Sequence, residues 1–164
     1  MIPADILSDG FFAAVAAIGF GAISDPPMRA FPYIAALAAA GHALRFCLME
    51  ALGVDIASAS LCASFLIGMG SLWFGTRIRC PMTVLYIPAL LPMVPGMYAY
   101  KVVFSLIMFM QNLADPVAGE HYMQQLFLNA VVACSVIFML ALGATLPIFL
   151  FNDKAYSLTR RKKP

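Results

Sequence analysis

Three ionisable side chains lie where the surrounding sequence is apolar enough to exclude them. His42 and Arg45 interrupt the run from Ala30 to Leu52, and Lys101 follows the stretch Ile87-Pro88-Ala89-Leu90-Leu91-Pro92-Met93-Val94-Pro95-Gly96-Met97-Tyr98-Ala99-Tyr100. On a helix, a spacing of three puts His42 and Arg45 on one face. Gly41 beside them admits another backbone or leaves room for a ligand. Histidine ordinarily changes charge between about pH 5 and 8, so His42 could couple proton movement to transport. The alternative is a histidine hydrogen-bonded in the interior of a bundle.

The proline cluster supplies a second element. Pro88, Pro92 and Pro95 with Gly96 fall within a few turns of helix, and each proline removes a backbone donor and crowds the preceding turn. An uninterrupted helix is therefore not expected here. A half-helix starting after Pro95-Gly96 would direct its free N–H groups and positive dipole end at whatever occupies the break. With Lys101, and with Arg45 if it faces the same space, that environment attracts anions. Tyr98 and Tyr100 either line such a site or pack beside it. No acidic residue is expected inside a span, so a carboxylate substrate or an acid from a partner subunit would be the counter-ion.

Other chemistries find little support. The chain has no GxSxG, no HExxH and no acidic pair at membrane depth. Cys47, Cys62, Cys80 and Cys134 show neither CxxC nor Cys/His metal spacing and read as small apolar residues of a helix bundle. His121 lies in an acidic loop and reads as solvated. No catalytic residue, metal, cofactor or nucleic-acid partner is expected.

The elements that must position these residues follow from composition. The chain is 63% hydrophobic and 11% charged, with a mean hydropathy of +0.90, whereas soluble domains carry about 25% charged residues. That composition implies an all-α integral membrane protein. Its 164 residues leave room for a handful of spans of about 20 residues each. Five are expected, at about residues 5–24, 30–52, 56–76, 82–111 and 122–151, with the fourth broken by the Pro/Gly cluster. Together they make residues 1–155 one polytopic membrane domain, followed by a basic tail, 156–164. The N-terminus lacks the basic start of a signal peptide, so the first apolar stretch is expected to be retained. Ala13, Ala17 and Gly21 in the first span, and Ser60, Ser64 and Gly68 in the third, recur every four residues. Such small-residue stripes let helix backbones approach closely.

Charge placement orients the five spans. Arg29 lies in the first loop, Arg77 and Arg79 in the third, and Lys154, Arg160, Arg161, Lys162 and Lys163 follow the last span. Asp5, Asp9, Glu50, Asp55, Asp115 and Glu120 occupy the opposite side. The positive-inside rule then places the N-terminus outside and the C-terminus in the cytoplasm. A re-entrant fourth segment would force the basic tail outside, so a single broken crossing is the reading that fits. Arg45 and Lys101 are the two basic residues left at membrane depth. A charge there costs at least ~2.5–3.5 kcal/mol and marks function by default, the alternative being that these long side chains snorkel to the interface. On this argument His42, Arg45, Pro95, Gly96, Tyr98 and Lys101 are the candidate substrate-binding residues.

The same residues carry a family resemblance. Pro26-Pro27-Met28-Arg29, Gly41-His42-Ala43-Leu44-Arg45, and the Ile87 to Gly96 break followed by Tyr98 and Tyr100 resemble the threonine/serine exporter (ThrE) superfamily, in its small YjjB-type membrane subunit. The resemblance spans nearly the whole chain. It implies an exporter built from two homologous membrane modules, here a small subunit working with a larger YjjP-type partner in the bacterial cytoplasmic membrane. It further implies small carboxylate substrates, succinate-like C4-dicarboxylates first and threonine or serine second. It assigns no site residues. The expected function is therefore a subunit of a two-component secondary exporter, with a non-transporting scaffold subunit as the alternative and a channel as a weaker third.

Overall fold

The structure, a computed structural model, describes residues 2–151. The basic tail expected at 156–164 lies outside the described residues. Six α-helices follow in order: α1 (Ile2–Ile23), α2 (Phe31–Leu52), α3 (Ile56–Ile78), α4 (Met82–Leu90), α5 (Gly96–Gln111) and α6 (Pro116–Leu150). Short 3-10 turns occupy Met28–Ala30 and Leu91–Met93, and no strand occurs among the described residues. Helices α1, α2, α3 and α6 are each long and apolar enough to cross a membrane, while α4 and α5 meet the same test together as an interrupted pair, giving up to five spans. The all-α membrane class with an interruption at the Pro/Gly cluster is what the sequence led us to expect.

Helix ends are set by local chemistry. α1 stops at Ser24-Asp25-Pro26-Pro27, where Asp25 takes a positive φ of 46°. α2 opens with Pro32 in its first turn and closes on Gly53 at φ 63°. Val54 N–H donates back to the Leu48 carbonyl at 3.1 Å, a left-handed cap that glycine adopts without steric cost. Asp55 caps α3, its Oδ2 accepting from Ser58 N–H at 2.9 Å; these hydrogen bonds hold the carboxyl below its ordinary range. α6 extends well before the span start expected at Tyr122. Its first turn holds Pro116, and Asp115 Oδ1 accepts from Val117 N–H at 3.0 Å and Ala118 N–H at 3.3 Å.

The chain divides into two compact units, one comprising residues up to Met93 with those from Met139 onward, the other Val94–Phe138. In the first unit α1 packs on α2, α2 on α3, and α4 touches all three. Small residues make the interior: Ala17, Ala38, Ala59, Ala63, Ser60, Ser64 and Ala89 are fully enclosed. A methyl on Gly68 would stand 2.7 Å from the Ala144 carbonyl oxygen, and one on Gly143 would meet Ser64 Oγ and the Leu61 carbonyl oxygen. The stripe on α3 therefore seats the last third of α6 backbone to backbone. Ser60 and Ser71 return their hydroxyls to the carbonyls of Ile56 and Ile67 at 2.6 and 2.7 Å, which satisfies them without water. The first and third loops lie at one end of this unit. There burial raises the Cys80 thiol while the Arg29 charge opposes the shift.

The second unit consists of α5, the turn after it and the first two-thirds of α6. Asn112 closes α5, donating its backbone N–H and its Nδ2 to the Met108 carbonyl at 3.1 and 2.8 Å. Met97, Val103, Phe104, Ile107 and Met110 are exposed on α5, an apolar surface suited to lipid or protein rather than water.

Two expectations follow from this packing. Gly143→Val should destabilise the first unit by about 1–3 kcal/mol, the usual cost of overpacking, read as a lower Tm in detergent, while Gly19→Ala, where a methyl meets nothing within 4 Å, should not. Asp55 has a depressed folded-state pKa, so its contribution is present above the ordinary carboxylate value and lost as pH falls through the lower folded one. Amide-exchange protection at Ser58, corrected for intrinsic rate, should fall on acidification in the native chain and be pH-independent and weaker in Asp55→Ala.

Candidate functional site

The proline break determines which backbone groups need partners. Pro88, Pro92 and Pro95 have no N–H, so the carbonyls four residues before them lose their helical donors. The chain responds by tightening into the 3-10 turn Leu91–Met93 and then making a second tight turn. Pro95 takes φ −78° and ψ 66°, and Gly96 N–H donates to the Val94 carbonyl at 2.8 Å, the geometry of an inverse γ-turn. α5 begins there, with Tyr98 and Ala99 N–H both donating to the Pro95 carbonyl at 3.1 Å.

Three of the first N–H groups of α5, those of Gly96, Tyr98 and Ala99, thus already have backbone acceptors. The row of free donors expected at this half-helix is not what the structure presents. Lys101 stands on the exposed side of α5 with Nζ 5.8 Å from the centre of the Tyr98 ring, a cation–π arrangement. Lys101 and Tyr98, with Pro95 and Gly96 at the turn, belong to the second unit.

His42 and Arg45 belong to the first unit. They share a face of α2, as their spacing required, but reach different neighbours. Arg45 Nη1 donates to the Met93 carbonyl at 3.0 Å. Met93 ends the 3-10 turn, and its carbonyl lies where the helix is interrupted. A half-buried guanidinium from α2 thereby takes up an acceptor at the break. Gly41 makes the approach possible: a methyl there would stand 2.5 Å from Ile67 Cδ1 and 2.9 Å from Met93 Cε.

His42 turns to α1. Its Nδ1 is 3.0 Å from Asp9 Oδ2, with the two side chains 14% and 39% exposed. Its other ring nitrogen, Nε2, is buried without a hydrogen-bond partner. This overturns the expectation that no acid would lie beside these basic groups. Asp9 lies inside α1 and inside the span expected at 5–24, although the charge count set it among the acids of the outer side. The missed signal was the stripe Ala13, Ala17, Gly21: one further step of four residues back reaches Asp9. That stripe is the face packed on α2, where a methyl on Gly10 would come within 3.3 Å of the Ala39 carbonyl oxygen. Close helix approach and a short Asp–His pair have the same origin.

The remaining candidates carry no chemistry. His121 is exposed and bonded to Gln125 Nε2 at 3.0 Å. The four cysteines are unpaired, and among the described residues no group of three or more His, Cys, Asp or Glu side chains could hold a metal.

Residues 9–150 match the family model described as Threonine/Serine exporter, ThrE. No solved structure matches the chain.

Truncating Arg45 removes the donor to the Met93 carbonyl. Arg45→Ala should cost about 1–3 kcal/mol, the penalty for an unsatisfied buried acceptor, seen as a lower Tm in detergent and faster proteolysis near Met93. Arg45→Lys should recover part of the loss, because an ammonium can still donate but lacks the planar fork.

Proposed function

We propose, from the premise that the chain belongs to the threonine/serine exporter (ThrE) family, that it is one subunit of a two-component secondary transporter exporting small carboxylate metabolites. Membership makes it a membrane protein of an exporter-type transporter family. The finer reading names succinate-like dicarboxylates first and threonine or serine second, following the resemblance of the short subunit form. It sets the chain in the bacterial cytoplasmic membrane, N-terminus outside and C-terminus in the cytoplasm, beside a larger YjjP-type subunit.

The observation that carries this reading is the Arg45 guanidinium on the Met93 carbonyl at an interrupted helix. A guanidinium holds a carbonyl through a single bond but grips a carboxylate through two parallel ones. A small carboxylate entering beside Arg45 therefore competes on favourable terms with the Met93 carbonyl. Its arrival releases the break, and its departure restores the original contact. Interrupted helices near the midplane serve secondary transporters in this way, because the irregular backbone lines the cavity that the substrate enters. His42, one turn from Arg45, belongs to the same binding face. Lys101 with Tyr98, Pro95 and Gly96 is a second candidate, to be judged by its own variant. Small-residue stripes and a wide apolar surface support a partner subunit, since such faces pack against other helices.

The test is efflux of labelled succinate, threonine and serine from cells making this chain alone, the larger subunit alone, or both. Efflux of one of these solutes above background only when both are present is the expected result; unchanged efflux of all three in every arm would sink the substrate reading. Arg45→Ala should lower the flux about tenfold or more with membrane insertion intact, because a hydrogen bond to a charged group contributes ~1.5–3 kcal/mol and about 1.4 kcal/mol is a factor of ten. Lys101→Ala should also impair it. Normal flux in both variants would remove these side chains from the substrate site.

A further inference from the structure

We propose that Asp9 and His42 together form the proton-carrying element of the transport cycle, with Nε2 of His42 the atom that gains and loses the proton and Asp9 the positioning residue that makes this possible. The inference rests on the exporter reading and deepens it by naming the coupling ion and its site.

The pair is poorly explained as a device for stability. An ion pair with one partner largely enclosed by helices loses hydration that its mutual attraction barely offsets, and apolar replacements are often as stable or more so. Ionisable groups at this depth in a membrane protein instead mark proton relays and substrate paths. The geometry fits a relay. Asp9 Oδ2 lies at Nδ1, so the Nδ1–H tautomer is favoured and the ring's lone pair falls on Nε2. That atom is buried and has no hydrogen-bond partner among the described residues, so a proton taken up there calls for an acceptor, which a carboxylate substrate or an entering water would supply. Protonation at Nε2 gives an imidazolium whose charge Asp9 balances. Loss of the proton from the same atom to water on the other side restores the neutral ring. Only an N–H bond forms and breaks, and no electron is transferred.

Among the described residues of the first unit, few other ionisable groups lie near the pair. From α1 Asp9 faces His42, and Asp5, one turn before it, is exposed. Along α2 Arg45 follows one turn on, held to the Met93 carbonyl, with Glu50 exposed farther along. α3 has only Cys62 as an ionisable group before Arg77, α4 has only Tyr86, and the segment of α6 from Met139 to Leu150 has none. The change of charge at the pair is therefore felt chiefly by Arg45 and by whatever Arg45 holds. With His42 neutral, the pair carries a net negative charge that disfavours a carboxylate beside it; with His42 protonated, that charge is cancelled. Proton occupancy and carboxylate occupancy become linked by electrostatics alone.

The experiment uses vesicles containing this chain with its larger partner subunit, with succinate and threonine as probes. It measures proton movement on substrate addition with an internal pH dye, and in parallel the exchange of labelled for unlabelled substrate without a pH gradient. Asp9→Asn should remove most of the substrate-driven proton movement while labelled exchange continues. Asp9→Glu should restore the proton movement, and His42→Gln should abolish it. Proton movement that survives in Asp9→Asn would overturn the proposal. So would equal loss of exchange and proton movement in Asp9→Asn without rescue by Asp9→Glu, the pattern of a structural contact. Wild-type flux with no accompanying proton movement would overturn this inference alone, whereas absence of any solute flux would overturn the exporter reading and this inference with it.

Discussion

A backbone carbonyl left without a helical donor where a helix is interrupted has no water to turn to inside hydrocarbon. Every peptide group at that depth must find a partner within the protein. In this chain Arg45 meets the need at Met93, and the rest of the first unit is arranged so that it can. α2 must lie close to the turn after α4, which is why position 41 is a glycine pressed against Ile67 and Met93. Once α2 is held there, His42 is turned toward α1, and Asp9 lies opposite it. One unsatisfied acceptor thus organises two ionisable groups that neither composition nor local propensity would have tolerated.

Close packing is the condition for both contacts. Alanine, glycine and serine fill the interior of the first unit, leaving little side-chain bulk between helices. Such an interior gains little from apolar transfer in a membrane, where lipid is as apolar as leucine, and depends on close van der Waals contact and internal hydrogen bonds. The same thinness keeps polar contacts short and the number of alternative partners small. An interface held by few bulky side chains and a guanidinium–carbonyl contact suits a member of an exporter-type transporter family.

Much of the architecture was legible from residue pattern. Apolar runs and their punctuation by Pro26-Pro27, Gly53 and Pro81 marked the helices, because proline and glycine act on the backbone locally. The interruption at Pro88 to Gly96 was equally plain. The site was legible only in part. His42 and Arg45 were conspicuous as polar residues in an apolar run, yet their partners were not: Asp9 is 33 residues from His42, and Met93 is 48 from Arg45. The anion-seeking half-helix was a fair inference from propensity, but the γ-turn at Pro95 occupies several of the donors it relied on.

By itself the sequence determined the membrane class, the helical segments, the break and the identity of the misplaced charges, since each depends on composition or on interactions within a few residues. Only the tertiary structure decided what those charges do. It gave Arg45 a backbone carbonyl and His42 a carboxylate, because which groups meet across two helices depends on their register and separation. Those are fixed by the mutual fit of many small residues that no local pattern records.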